Sequence, residues 1–317
     1  MPHWTPENIP SQRDKTFVVT GANSGLGYWS ALHLARTGAQ VIMACRNLKK
    51  GEKARQQILS TCKNVTEIQL QLMELDLADL DSVQRFADDL LQKRTVIDGL
   101  LNNAGVMALP YQKTAQGFEK QLGTNHLGHF ALTARLYPLL VKSDFARVVT
   151  VSSVYHRQGS IQFDDLQSEQ RYNKWKAYAQ SKLANVLFTL ELQRRLTAVN
   201  SHVMSLGAHP GYAATNLQAA GPKAENTWWK QKLMELANAT LAQSAEQGAY
   251  SQLYALTEPN VSGGSFWGPH GFKAMRGYPV KEEPSEAARD AEVASRLWKV
   301  SEQLTGQLFL SDALVAE

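Results

Sequence analysis

Thr16-Phe17-Val18-Val19-Thr20-Gly21-Ala22-Asn23-Ser24-Gly25-Leu26-Gly27 joins a strand to a helix through a glycine-rich turn. Residues 16–20 are β-branched or aromatic and read as a buried strand, a glycine-bearing turn follows, and a helix is expected from about 25 to 37. Glycines at this spacing, G-x-x-x-G-x-G, let the backbone turn tightly and approach a pyrophosphate held at the N-terminus of the next helix. Taken alone, the same glycines would also suit a plain tight βα turn.

Outward from this unit the rhythm repeats. QVIMA (40–44) precedes a helix over 47–60, and EIQLQLMEL precedes one from Asp81 to about Gln92. IDGLLNN leads to a long helix from about Thr114 to Leu140, RVVTVSS to a helix from about Tyr178 to Ala198, and HVMSLGAHPG closes the series. Near-continuous apolar strands separated by helices predict a parallel sheet covered on both faces. No repeat or linker divides the chain, so one domain over 1–317 is expected, with a nucleotide-binding half over about 14–110 and a catalytic half over about 111–216. The polar, Ala-rich stretch over about 212–245, which carries Trp228 and Trp229, reads as an insertion over the sheet edge. Its tryptophans suit a substrate lid first, with core packing or a membrane surface as alternatives. The segment from FWGPHGF to LWKVSEQLTG is expected to close the substrate cleft and end in a packed helix.

Composition narrows the function classes. The chain has 44% hydrophobic residues and a net charge of +4, from 33 basic and 29 acidic side chains spread along its length, so no stripe suited to nucleic acid emerges. Two cysteines, Cys45 and Cys62, are too few for a disulfide framework or a zinc site and suit a reducing compartment. The N-terminus lacks an apolar signal region, and no apolar run reaches a membrane-spanning length. A soluble, cytoplasmic protein without a transmembrane anchor is expected. The histidines at 126, 129, 156, 202 and 209 lack accompanying carboxylates or cysteines at ligand spacing, and no metal is expected.

The glycine turn, together with Asn102-Asn103-Ala104-Gly105 after the fourth strand, resembles the short-chain dehydrogenase/reductase family, over residues from about 14 to 216. The resemblance implies a single-domain, Rossmann-type, doubly wound α/β fold. It implies that Gly21, Asn23, Ser24, Gly25 and Leu26 lie along a dinucleotide diphosphate, that Asp76 and Leu77 meet the adenine, and that Asn103, Ala104 and Gly105 line the nucleotide. His209-Pro210-Gly211 and Thr215 match the segment that holds the nicotinamide carboxamide. Asp76 and Thr215 could alternatively be plain caps, and Asn103 could serve only backbone groups.

The second strand ends Ala44-Cys45-Arg46, where a carboxylate would meet the ribose 2′-hydroxyl of NAD. Cys45 leaves room there, and Arg46 can pair with a 2′-phosphate, so NADP(H) is expected over NAD(H). Lys49 and Lys50 could add positive potential there, but they are expected on an exposed helix face.

Tyr178-Ala179-Gln180-Ser181-Lys182 places a phenol and an ammonium on one helix face at i and i+4, an arrangement expected to lower the phenol's pKa and make it a usable acid/base. By the resemblance, Tyr178 exchanges a proton with the substrate oxygen, Ser153 polarises that oxygen, and Lys182 with Asn125 re-supplies the proton. Ser152 adjoins Ser153 but points to the opposite face of the strand. TNHLGHF, FDDLQSEQRY and YAQSKLANVLF resemble the retinol dehydrogenase-like branch and its bacterial relatives, which implies a small lipophilic carbonyl or alcohol as substrate. A C=C reductase of protochlorophyllide reductase-like type and a non-enzymatic NADP(H)-binding sensor are the alternatives. The long loop between Ser153 and Tyr178 precedes the helix that many relatives use for subunit pairing, so a monomer or homodimer is expected.

Overall fold

A computed structural model describes residues 3–213 and 243–310. Among these residues eight strands form one sheet in the order β3-β2-β1-β4-β5-β6-β7-β8. They are β1 Thr16–Thr20, β2 Gln40–Cys45, β3 Leu70–Glu74, β4 Gly99–Asn102, β5 Arg147–Val151, β6 Met204–Ala208, β7 Phe266–Pro269 and β8 Pro279–Glu282. The helices are α1 Gly25–Arg36, α2 Leu48–Thr61, α3 Leu80–Lys93, α4 Lys120–Leu122, α5 Gly128–Leu140, α6 Lys174–Ala198, α7 Ala245–Gly248, α8 Tyr250–Thr257 and α9 Ala291–Thr305. The order reverses between β1 and β4, which opens a crevice beyond their carboxyl ends.

Strand alternation builds a core on each face of the sheet. Phe17 and Val19 pack with Ala31 and Leu34 of α1, Ile58 of α2 and Leu256 of α8. Val18, Ile42 and Leu100 face the other way, onto Phe86 of α3, Phe130 of α5, Phe188 of α6 and Trp298 of α9. The central strands β1 and β5 are buried along their whole length, which is why their sequences show no polar alternation.

The structure departs from the sequence reading in three places. The helix expected from Thr114 begins only at Lys120, where the Glu119 carboxylate caps the amides of Gln121 and Leu122, and a π-helical turn over Gly123–Leu127 separates it from α5. The helix expected from Tyr178 begins at Lys174, because the Asn173 side chain accepts hydrogen bonds from the Trp175 and Lys176 amides. The segment beginning FWGPHGF is a strand: β7 continues the parallel sheet beside β6, and β8 returns antiparallel to it, so the sheet is parallel except at its last strand. The expected insertion over 212–245, with Trp228, Trp229 and Thr215, falls almost wholly outside the described residues.

The loop before α6 folds back on the molecule. The Gln180 side chain bonds both Gln162 and Leu166, and Gln121 donates to the Tyr172 hydroxyl at 3.0 Å. Among the described residues no helix is long and apolar enough to cross a membrane.

Four buried histidines tie stability to pH. Burial holds the imidazoles of His33, His129 and His156 down at about 4 and that of His126 at about 3, so each is neutral in the fold. In the unfolded chain they take up protons near 6.5. Stability is therefore intact above pH 6.5 and is lost as pH falls from there toward 4, by about 1.4 kcal/mol per histidine per pH unit. Urea midpoints measured from pH 7.5 to 5 should drop steeply below 6.5; a flat profile would show that these imidazoles are not buried neutral.

Candidate active site

The crevice is built by two turns locked together. Thr20 Oγ1, at the end of β1, accepts hydrogen bonds from the amides of Asn103 and Ala104, both at 2.9 Å, and Asn103 Nδ2 donates to the Thr20 carbonyl at 2.7 Å. Gly21, at φ +69°, turns the chain away from β1 into α1, whose N-cap is Ser24. At Gly27 a Cβ would strike the Gly21 carbonyl and the Asn103 amide, so only glycine allows α1 to start this close to the β4 turn.

These turns bound a cleft of about 580 Å³ lined by Gly21, Asn23 to Leu26, Arg46, Asp76, Leu77 and Asn103 to Gly105. Every nucleotide-site position expected between Gly21 and Gly105 is thus brought to one cleft. The sequence reading missed Thr20, Asn47, Val106 and Thr124, which also line it; Lys50 is exposed on its helix as expected and also borders the cleft beside Arg46. Thr20 could be found only from the fold, since its partners lie more than 80 positions away. Of the alternative readings, the cap of the following helix is Asp79 and not Asp76, whose Oδ1 accepts from the Ala78 amide ahead of it, while the Asn103 side chain does serve the Thr20 carbonyl and also meets Gln252. The groups present suit a dinucleotide phosphate. The N-terminus of a full helix and two cations face the cleft, and no carboxylate follows β2.

The side chains expected to carry the chemistry stand behind Gly105. A Cβ there would lie 3.1 Å from Asn125 Oδ1 and 3.5 Å from Lys182 Nζ, so the lysine ends at the cleft wall. Tyr178 and Lys182 are each 3% exposed, and Lys182 Nζ donates to the Val151 carbonyl at 3.1 Å. Ser153 caps the short helical turn Val154–Gln158: its Oγ accepts from the Tyr155 amide at 3.3 Å and bonds the Tyr178 phenol. Ser152, in contrast, donates to the Lys182 carbonyl at 2.7 Å and so holds the helix backbone.

One expectation is corrected. Lys182 does not depress the Tyr178 pKa; burial pushes the phenol up to about 12, opposed by the bond from Ser153, and burial pulls the Lys182 ammonium down to about 8. The ammonium lies 5.9 Å from the ring centroid and spends a hydrogen bond on Val151, so desolvation outweighs its field. Asn125 sits in the π-helical turn with its side chain fully engaged: Oδ1 accepts from the Val106 amide, and Nδ2 donates to the Val106 carbonyl and Ser181 Oγ. Its backbone carbonyl accepts from His129 Nδ1 at 2.9 Å. Pro210 and Gly211 follow β6, apart from the nucleotide cleft lining, with Gly211 at φ +65°. Among the described residues no three metal-ligating side chains converge.

Residues 15–226 match the family model for short chain dehydrogenases. The chain belongs to the short-chain dehydrogenase family. This short-chain dehydrogenase is 41% identical to human retinol dehydrogenase 14 over 306 residues, covering 93% of this chain and 87% of that protein. It resembles a solved uncharacterized protein from Mycobacterium paratuberculosis, at 46% identity and a TM-score of 0.79, covering 97% of this chain and 99% of that one. A Shigella flexneri short chain dehydrogenase solved in complex with NADP is 25% identical, with a TM-score of 0.60 and coverage of 79% and 94%. Membership makes this short-chain dehydrogenase an oxidoreductase that uses a nicotinamide cofactor, and the cleft between β1 and β4 is where its residues would hold one.

Proposed function

We propose that this chain is an NADP(H)-dependent reductase of lipophilic aldehydes or ketones, running in reverse as an alcohol dehydrogenase, with Tyr178 as its general acid/base. The observation that carries the reading is the buried Tyr178, Ser153 and Lys182 group opening on a phosphate-suited cleft at Gly105. NADP(H) is favoured because Arg46 stands where an NAD-binding protein needs a carboxylate, with Lys50 adding positive potential. The Shigella flexneri relative solved with NADP and the retinol dehydrogenase relative support the cofactor and the lipophilic substrate class.

When bound, the nicotinamide supplies a hydride to the carbonyl carbon. Tyr178 donates the proton to the carbonyl oxygen, and Ser153, which already bonds the phenol, holds that oxygen in place. A phenol held up at about 12 is protonated at neutral pH, so Tyr178 can enter as the acid when the reaction runs as a reduction. Lys182 holds positive charge at the cleft wall, where Asn125 fixes the neighbouring Val106 backbone. Pro210, Gly211 and Thr215 would hold the carboxamide. Tyr155 lies edge-on to Tyr178 at 5.6 Å and stacks on Trp175 at 5.3 Å, which gives the approach to the phenol an apolar, aromatic wall.

The protochlorophyllide reductase-like relatives of the C=C alternative carry site cysteines. Cys45 and Cys62 are both buried in the nucleotide half, and burial raises both thiols, Cys45 to about 12. A pure sensor would not need an intact Tyr, Ser and Lys group. A panel of medium- and long-chain aldehydes and ketones, followed by NADPH consumption, tests the reading. Turnover should appear with NADPH, and kcat/KM for reduction should fall as pH rises through about 8, where Lys182 loses its charge. No turnover across the panel despite NADPH binding would favour the sensor.

A further inference from the structure

A carboxylate that ties three segments together lies where the last hairpin of the sheet meets two site loops. Glu282, the final residue of β8, accepts from His209 Nε2 with Oε1 at 3.1 Å and from Arg157 with Oε2 at 3.1 Å. His209 begins the His209-Pro210-Gly211 turn, and Arg157 belongs to the helical turn capped by Ser153. The carboxylate therefore bridges the loop that carries Ser153 and the loop after β6.

The geometry sets the histidine's tautomer. The Gly211 amide donates to His209 Nδ1 at 3.1 Å, so Nδ1 must be unprotonated and Nε2 carries the hydrogen that reaches Glu282. The His209 side chain is fully buried and that of Glu282 is 12% exposed. A chain Gly211 N–H to imidazole to carboxylate thus orients the Pro210–Gly211 turn from behind. Gly268 of β7 is the space that admits it, since a Cβ there would fall on both Glu282 Oε1 and His209 Nε2. A second tie runs parallel: His156 Nδ1 donates to the Ser153 carbonyl at 2.7 Å, and the Ser285 amide meets His156 Nε2.

We propose that Glu282 is a positioning residue: through His209 and Arg157 it holds the Pro210–Gly211 turn and the Ser153 loop at a fixed separation, so that the nicotinamide end of the cofactor and the substrate oxygen meet in register. The inference rests on the cofactor and carbonyl reading above. Glu282 touches neither reacting group; it acts through the two loops.

Glu282→Ala and Gly268→Ala, which break the bridge from either side, test it against Glu282→Gln, which keeps an acceptor for His209. In the wild-type protein, ¹⁵N-resolved imidazole spectra should show His209 protonated at Nε2 with a downfield Nε2–H proton, and Glu282→Ala, which leaves the Gly211 bond to Nδ1 in place, should move that proton upfield as its acceptor is lost. Both alanine variants should lower kcat about tenfold and weaken NADPH binding severalfold, with an increased primary isotope effect from 4-deuterated NADPH; Glu282→Gln should fall between them and wild type. Alanine variants with lowered melting temperature but unchanged kcat and isotope effect would overturn the proposal, as would a wild-type His209 protonated at Nδ1. If the wild-type protein binds NADPH but reduces no carbonyl, the functional reading fails while the His209 Nε2–H shift and NADPH affinity of the variants still decide the role of Glu282.

Discussion

Tyr178→Phe should lower the rate of NADPH-dependent carbonyl reduction by roughly 10²- to 10⁴-fold, the usual span for loss of a positioned general acid. The substitution removes one oxygen and keeps the ring, so the edge contact with Tyr155 and the packing of α6 survive. What it removes is the proton donor and the partner of the Ser153 hydroxyl. NADPH binding should stay within about twofold of wild type, because the nucleotide cleft is lined by other residues. Stopped-flow turnover alongside a fluorescence titration of NADPH separates the two effects. A variant that keeps most of its turnover would remove Tyr178 from the chemistry altogether.

Arg46→Ala should weaken NADPH binding about 10- to 100-fold, the equivalent of one charge-assisted bond to a phosphate, and leave NADH binding nearly unchanged. Arg46→Asp should go further and reverse the preference, since it puts a carboxylate where a ribose 2′-hydroxyl would be met. The position is permissive: β2 ends at Cys45, whose buried sulfur receives the Ala22 and Asn23 amides of the glycine turn, and Arg46 itself is exposed at the cleft edge. Because part of the effect is long-range attraction, titrations belong at a fixed ionic strength near physiological. Equal losses for NADPH and NADH, or no loss at all, would assign the 2′-phosphate to another group, with Lys50 the nearest candidate.

Much of the architecture could be read locally. Buried strands such as Phe17 to Val19 announce themselves by continuous apolar sequence, and the turn from Gly21 to Gly27 by residues whose backbone no other side chain tolerates. The nucleotide cleft followed because its walls are the residues directly after β1, β2, β3 and β4, so each could be placed from its own strand. The reactive pair was legible for the same reason, being one helical turn apart on α6.

What escaped the sequence depends on partners far along the chain. The late start of α4 hangs on the Glu119 cap, and the Glu119 amide in turn meets Gln167, 48 positions away. β8 is short, part-exposed and antiparallel, and its strand character comes only from pairing with β7. Motif reading saw Tyr178 and Lys182 as charge and phenol one turn apart, and so overstated the lysine's field. Only the folded protein removes water from both groups, and that desolvation reverses the direction of the phenol's shift.

The alternating βα order and the glycine turn are written in the chain locally, because strand and helix periods and backbone sterics act over a few residues, while Tyr178, Ser153, Lys182 and Arg46 stand out as candidates through the family resemblance of their motifs. Tertiary structure alone decided how deeply those groups are buried, which loops are tied to which, and that His209 meets Glu282 across 73 positions. Burial and long-range pairing are properties of the packed chain, and no local pattern encodes them.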